Sequence, residues 1–354
     1  MSTKIFSLLI LLFFNFTFAD PFKDLNIDFL RDEPVKPKST NKVKSKKKSK
    51  EKTYKEVVED FKMIDGLFTL YWNEKTNQAY VSILPAQLDN IYLAGLTRQS
   101  GDGYYLDGSN MLNEYPFMFR HIGKRIQFVN ANVKFRADED SPFRRAVESH
   151  TSHSILSSTE IASVPHPESG AILADIGKLL IYDIEEITRK SQGVYSFDKK
   201  DSYFTELKSF PYNTEIEIAL HFKGKKGKYI YTLPNSSSVL VHYHVSLSAI
   251  PETEYEPRLA DDRVGHFITM YQDYTDVRQD SPYIRYVNRW HLEKQTPQLE
   301  VSKPKKPIIY WIENTVPYEF RDAVREGILA WNEAFEAAGF KDAIVVKQMQ
   351  DNAD

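Results

Sequence analysis

The sequence predicts an α+β protein in which a predominantly antiparallel β-sheet region is followed by an incomplete α/β unit of strand, helix and strand. Three observations lead there. Aromatic residues make up 13% of the 354 residues, including 21 Tyr and 22 Phe, and such side chains suit the half-buried pleated surface of a sheet. Residues 214–222 alternate cleanly, with Ile216, Ile218, Leu220 and Phe222 on one face and Glu215, Glu217, Ala219 and His221 on the other. Near the C-terminus Phe320, Val324, Ile328, Trp331, Phe335 and Ala338 recur at spacings of four, four, three, four and three, the apolar stripe of a helix.

Residues 1–19 have the parts of an export signal: Lys4 as a positive start, an apolar core over 5–14, and Thr17-Phe18-Ala19 ending in a small residue before Asp20. That core is short of the roughly 20 residues a spanning helix needs, so cleavage and a periplasmic or extracellular destination are expected. Residues 20–55 form an arm that ends in a lysine run. Ten of the 46 basic groups fall between Lys36 and Lys55 against one, Glu51, of the 49 acidic ones; the rest of the chain therefore holds 36 basic and 48 acidic groups, a balance of −12. With Ser, Thr and Asn interleaved and almost nothing apolar, the run is expected to be a disordered, solvated spacer. Weak contact with an anionic surface is the sharper alternative. Specific nucleic-acid binding is not expected, since no interleaved aromatics offer base stacking. The absence of cysteine removes disulfides, thiolate metal sites, a cysteine nucleophile and a lipoprotein anchor together. No later segment reaches membrane-spanning length.

Residues 56–300 are expected to form one or two β-rich domains, dividing near 140–200 if two. Residues 66–72 and 78–84 read as a hairpin around the polar loop 73–77. Residues 125–135 read as a bent strand, and 142–158 as a helix capped by Ser141 with Phe143, Val147 and Ile155 on its buried side. Residues 171–176 read as a buried strand and 178–187 as a short helix or a second strand. After the strand at 214–222, Gly224-Lys225-Lys226-Gly227 turns the chain, and residues 229–233 and 238–250 continue an antiparallel sheet. Residues 266–274 and 284–294 add two alternating strands, and 297–307, with three prolines, reads as a linker.

The last unit spans 305–354. Strands at 308–314 and 344–347 flank a helix from about 317 to 338, with Pro317 suited to its first turn and Gly339 to the left-handed position past its end. Asp322, Arg325, Glu326, Glu333 and Glu336 are expected mostly on the solvent side. About 45 residues bury too little to stand alone, so the unit either docks on what precedes it or belongs to a larger sheet.

The stretch IENTVPYEFRDAVREGILAWNEAFEAAGFKDAIVVKQ at 312–348 closely resembles the opening of the catalytic domain in a family of bacterial exported zinc-dependent metalloproteases, related in plan to the metzincins. SYFTELKSFPYNTEIEIALHF at 202–222, RLADDRVGHFITMYQDY at 258–274 and IRYVNRWHLEK at 284–294 resemble the long β-rich N-terminal region that members of that family carry. The resemblance implies that a zincin-like domain begins near 305. It also implies that the full-length protein cleaves a protein or peptide substrate with a zinc-activated water. Zinc would sit on a His-Glu-x-x-His helix and a third ligand. That motif occurs nowhere in this sequence; the resemblance puts it beyond position 354. The chain is thus expected to be an N-terminal fragment that binds no zinc and is inactive alone. The alternative is an exported β-rich binding module for a peptide, glycan or envelope component, with Tyr283, Tyr286 and Trp290 as its contact face.

By themselves the residues assign no catalytic, cofactor-binding or metal-ligating side chain. His242 and His244 flank Tyr243 in a strand and share a polar face with Ser246 and Ser248; a hydrogen-bonded or solvated pair is simpler than a zinc site, for which two ligands are too few. His150 and His153 lie three apart, without the spacing of a zinc-protease helix, and read as surface residues. His121, His166, His221, His266 and His291 are isolated. Asp138-Glu139-Asp140 and Glu185-Glu186 read as solvated carboxylates rather than acid–base pairs. Asp261-Asp262-Arg263 reads as a turn with a charge pair, since calcium takes about six to eight oxygens. A Gly-x-Ser-x-Gly elbow, a Walker loop and a dinucleotide fingerprint are all absent from the sequence.

Overall fold

The computed structural model describes residues 51–351 apart from 104–105, 109, 225–228, 277 and 279. The export signal, the arm up to residue 50 and residues 225–227 of the expected turn lie outside the described residues. Of the described residues 41% are strand and 15% helical, so the fold is α+β and mainly antiparallel sheet, as the sequence predicts.

In chain order the first part runs α1 (Tyr54–Val58), β1 (Lys62–Ile64), β2 (Thr69–Asn73), β3 (Gln78–Ile83), β4 (Tyr92–Ser100), β5 (Asn110–Ile122), β6 (Arg125–Asn130), β7 (Phe135–Arg136), α2 (Phe143–His150) and β8 (Ser154–Glu160). Then follow β9 (Ile172–Asp175), α3 (Ile176–Leu180), α4 (Ile187–Lys190), β10 (Tyr195–Ser209), β11 (Asn213–Gly224), β12 (Ser238–Ser248), β13 (Ile268–Asp273) and β14 (Tyr283–Val287). The last unit is β15 (Ile308–Ile312), α5 (Tyr318–Leu329), α6 (Asn332–Ala337) and β16 (Ile344–Gln348). Seven strands form one sheet in the order β10-β11-β12-β4-β5-β6-β8, and four form another in the order β1-β2-β3-β9; β14-β13-β7 and β15-β16 are smaller sheets.

Alternation gives each of the two larger sheets an apolar face, and those faces share one core. Ile216, Ile218, Leu220 and Phe222 of β11 point into it beside Val239, Val241, Tyr243, Val245 and Leu247 of β12, while Leu70, Ala79, Val81 and Ile83 come from the four-stranded sheet. Phe68 wedges between them, its ring 5.0 Å from Tyr92 and 5.2 Å from Phe119, and Phe117 stacks 5.0 Å from Phe128. Each such buried side chain contributes about 1.5–3 kcal/mol, and each aromatic pair about 0.5–1.5 more.

Several elements depart from the sequence reading. The lysine-rich arm gives way to structure before residue 55: Thr53 and Glu56 close a capping box on α1, and Tyr54 is buried. The first hairpin closes on Asn73 opposite Gln78, one residue tighter than expected, with Asn77 left-handed at φ 51°. The expected helix at 142–158 divides. It stops at His150, and residues 154–160 pair with β6 as β8, so Ile155 lies exposed on a strand. A serine-rich segment is a poor helix former and β6 offers it a ladder. Residues 178–187 resolve into the end of α3 and a loop to α4, and 229–233 form turns rather than a strand. β14 ends at Val287, well short of 294. The presumed linker at 297–307 is tied down: Ser302 N–H donates to Gly339 O, Lys341 N–H to Ser302 O, and Lys305 N–H to Glu293 O. β4, β5 and β10 have no counterpart among the sequence expectations.

Candidate functional site

The C-terminal unit leaves an apolar surface uncovered. β15 and β16 pair in parallel from Ile308 opposite Ile344 to Ile312 opposite Gln348, and a parallel pair crossed by a helix is ordinarily covered on both faces. The helix, predicted as one piece, breaks near Ala330 into α5 and α6. Its polar flank faces the strands. Arg325 donates to Val346 O at 3.2 Å, Asn332 and Ile344 exchange hydrogen bonds of 3.1 and 2.8 Å, and Arg321 donates to Asn314 O and Val316 O. Arg325, expected in solvent, is therefore turned onto the sheet. The apolar stripe lies about 100° round the helix: Phe320, Val324 and Trp331 are 56%, 37% and 65% exposed, and no residue of α5 or α6 is buried. Trp290, Tyr310, Val324, Ile328, Trp331 and Phe335 line an open hollow of about 450 Å³.

A larger polar cleft of about 1170 Å³ gathers Arg120, Arg136 and Arg144 with Asp138, Glu139, Glu148, His150 and His153. Phe135, Phe143, Val147 and Tyr274 wall an adjoining hollow of about 540 Å³. Two clusters that stand apart in the sequence thus share one wall, but not as metal ligands or an acid–base pair. His150 Nδ1 lies 2.8 Å from Ala146 O at the end of α2, whereas His153 Nδ1 accepts the Asn132 N–H at 2.9 Å. Burial, together with Arg120, lowers the His153 pKa and keeps its ring neutral at pH 7. Glu139 and Glu148 both pair with Arg144, at 3.6 and 2.7 Å.

The other candidates separate in the same way. His244 Nε2 stands 2.6 Å from Glu215 Oε2, while His242 lies opposite Ala219. The Glu215 contact raises the His244 pKa against burial. Burial would push Glu215 up, yet His244, Asn213 and Ser246 together hold it below its ordinary value. Glu185, read as solvated, has its side chain only 9% exposed and forks onto Arg98 at 2.9 and 3.2 Å; only Glu186 is at the surface, paired with Arg189. Asp261 pairs with Arg263 in a turn, as expected. Tyr283 and Tyr286 occupy opposite faces of β14, Tyr286 packs 5.9 Å from Tyr271, and Trp290 belongs to the C-terminal hollow, so the three make no common face. His221 is not isolated. Its Nδ1 lies 3.0 Å from Asp198 Oδ2 and its Nε2 2.8 Å from Ser238 Oγ, with Lys223 bridging Asp198 and Asp201. Sequence reasoning passed over this group because the three acidic and imidazole side chains look unremarkable until β10 and β11 are paired.

These features define a β-rich α+β protein whose antiparallel sheets are followed by a half-covered β-α-β unit. The pattern of the family described as Domain of unknown function (DUF5117) matches residues 109–295, more than half of the chain, and the chain belongs to that family. The match takes in β5 through β14. No curated protein and no solved structure matches the chain. No described helix is long and apolar enough to cross a membrane.

Proposed function

We propose that this chain is the front part of an exported zinc-dependent metalloprotease, in which the β-rich region scaffolds or covers a catalytic lobe that begins with β15, α5, α6 and β16. The observation that carries this reading is the uncovered stripe of Phe320, Val324 and Trp331 on a helix that buries no residue. A two-stranded parallel sheet is too small to be a finished layer; in this reading the face takes further strands and helices of the hydrolase lobe. The residues present do not fit a catalytic zinc of that family: no two of the nine histidines lie four apart. No hydrolytic step is therefore assigned to them.

The test is the coding sequence beyond codon 354. An in-frame His-Glu-x-x-His supports the reading, and a stop codon after Asp354 overturns it. The purified chain is expected to leave casein intact; chelator-sensitive cleavage would show that a hydrolytic site lies within it. The polar cleft between α2 and β13, where three arginines meet Asp138, Glu139, Glu148 and Asp273, favours a second reading, an exported binding module for a polar peptide or glycan. Retention on an affinity matrix of such ligands, lost in R120A/R136A, would support it.

A further inference from the structure

We propose that Asp198, Asp201 and His221 bind a divalent transition metal of the zinc class, in exchange for the Lys223 ammonium that lies between the two carboxylates. Asp198 of β10 stands opposite His221 of β11, and the ladder is interrupted between Asp198 and Tyr203, so the intervening residues bring Asp201 back toward the imidazole. His221 Nδ1 is 3.0 Å from Asp198 Oδ2 and 3.9 Å from Asp201 Oδ2, and the three donor atoms all lie within 4.8 Å of one another. Zinc bonds of about 2.0–2.2 Å at tetrahedral angles separate neighbouring donors by about 3.4 Å, between the two measured separations. One imidazole and two carboxylates suit zinc, cobalt or manganese; calcium prefers an all-oxygen shell.

Two further features favour a metal. The second ring nitrogen, Nε2, is held by Ser238 Oγ at 2.8 Å, the kind of outer contact that fixes the tautomer of a ligating histidine. A cation already occupies the position: Lys223 Nζ contacts Asp198 Oδ2 and lies 3.2 Å from Asp201 Oδ2. Asp198 and His221 are largely covered, whereas the Asp201 and Lys223 side chains are 53% and 57% exposed, so two of the ligands are held in place while Asp201 can adjust and the ammonium can swing into water. With a neutral imidazole the group carries a net −1; a dication in place of the ammonium makes it neutral. Ser238, His221 and Asp198 also line up like a serine-hydrolase relay. The Ser238 N–H, however, is bonded to Asn235 O, so the serine brings no amide donor for an oxyanion.

The site is independent of the protease reading and is tested on the whole chain by zinc titration calorimetry at pH 7.5, with circular dichroism on each variant. Wild-type protein is expected to bind an equivalent of zinc that D201N and H221Q hold at least about tenfold more weakly. K223M, which removes the competing ammonium, is expected to bind about tenfold more tightly. Equal affinity in wild type, D201N and H221Q would place zinc elsewhere, for instance at His242, and overturn the proposal. So would zinc uptake by K223M alone, or none by either wild type or K223M at zinc on the order of 1 mM. If D201N or H221Q fails to fold, K223M decides: tighter binding supports the site, and unchanged affinity overturns it.

Discussion

Arg98 occupies an inward position on β4, in the same row as Tyr92, Ala94 and Leu96, and all four are buried. A guanidinium placed there needs partners for its donors. Nε and Nη2 fork onto Glu185, Nη1 donates to Asp107 O at 2.8 Å, and the Tyr243 hydroxyl donates to the same Glu185 carboxylate at 3.0 Å. Burial, with Glu185 beside it, pushes the Tyr243 hydroxyl pKa far up, so the phenol stays a donor. Glu185→Ala removes the acceptor for both and is expected to cost about 3–5 kcal/mol in urea denaturation. The triple replacement R98M/E185L/Y243F, which leaves only the exposed Asp107 and Lys190 without these partners, is expected to recover most of that loss. The partners are 87 residues apart in sequence, which is why Glu185-Glu186 reads as a solvated pair from local pattern. The one legible hint was a charge at the end of an otherwise apolar inward row.

Between neighbouring strands, legibility followed regularity. β11 and β12 alternate without interruption and pair in continuous register from Asn213 opposite Ser248 to Lys223 opposite Ser238, so both were readable from residues alone. β5 contains Pro116 and breaks register with β4, and β10 is charge-rich with two register breaks against β11; these features hide the period on which such reading depends. What β11 and β12 put opposite each other also sets a pH dependence. The raised His244 pKa gives stability that is complete below about 6.5 and is lost as pH rises through the folded value. The lowered Glu215 pKa gives stability that is present above about 4.5 and is lost as pH falls through its folded value. The pair therefore stabilises most between about pH 4.5 and 6.5. His244→Gln is expected to cost about 1 kcal/mol in that window, less on either side, since the imidazole side chain remains 34% exposed and is screened by water. Urea midpoints of wild type and variant across pH 4–9 would measure it; a pH-independent difference would mean that the imidazole acts by packing alone.

Over the whole molecule the two parts differ in how much they bury. The β-rich body encloses a continuous core built from both large sheets. In the C-terminal unit Ile308, Ile312, Ala343 and Ile344 are buried, but the helix that should cover them offers Arg321, Arg325 and Asn332 to the strands instead. The sequence already showed that some 45 residues bury too little to be stable alone. It could not show that the apolar stripe would stay turned away, because that depends on which flank meets the strands. Local stability tracks buried apolar area, so the unit should open without unfolding the body. Ties such as Ser302 N–H to Gly339 O and Lys341 N–H to Ser302 O anchor its edge, but they add no apolar burial. Native-state hydrogen exchange on the whole chain is expected to show amides of 344–348 exchanging about a thousandfold faster than those of 216–220, an opening free energy lower by about 4 kcal/mol. Equal protection of the two segments in this chain would mean that the body already holds the C-terminal unit in place, and that Phe320, Val324 and Trp331 need no further partner.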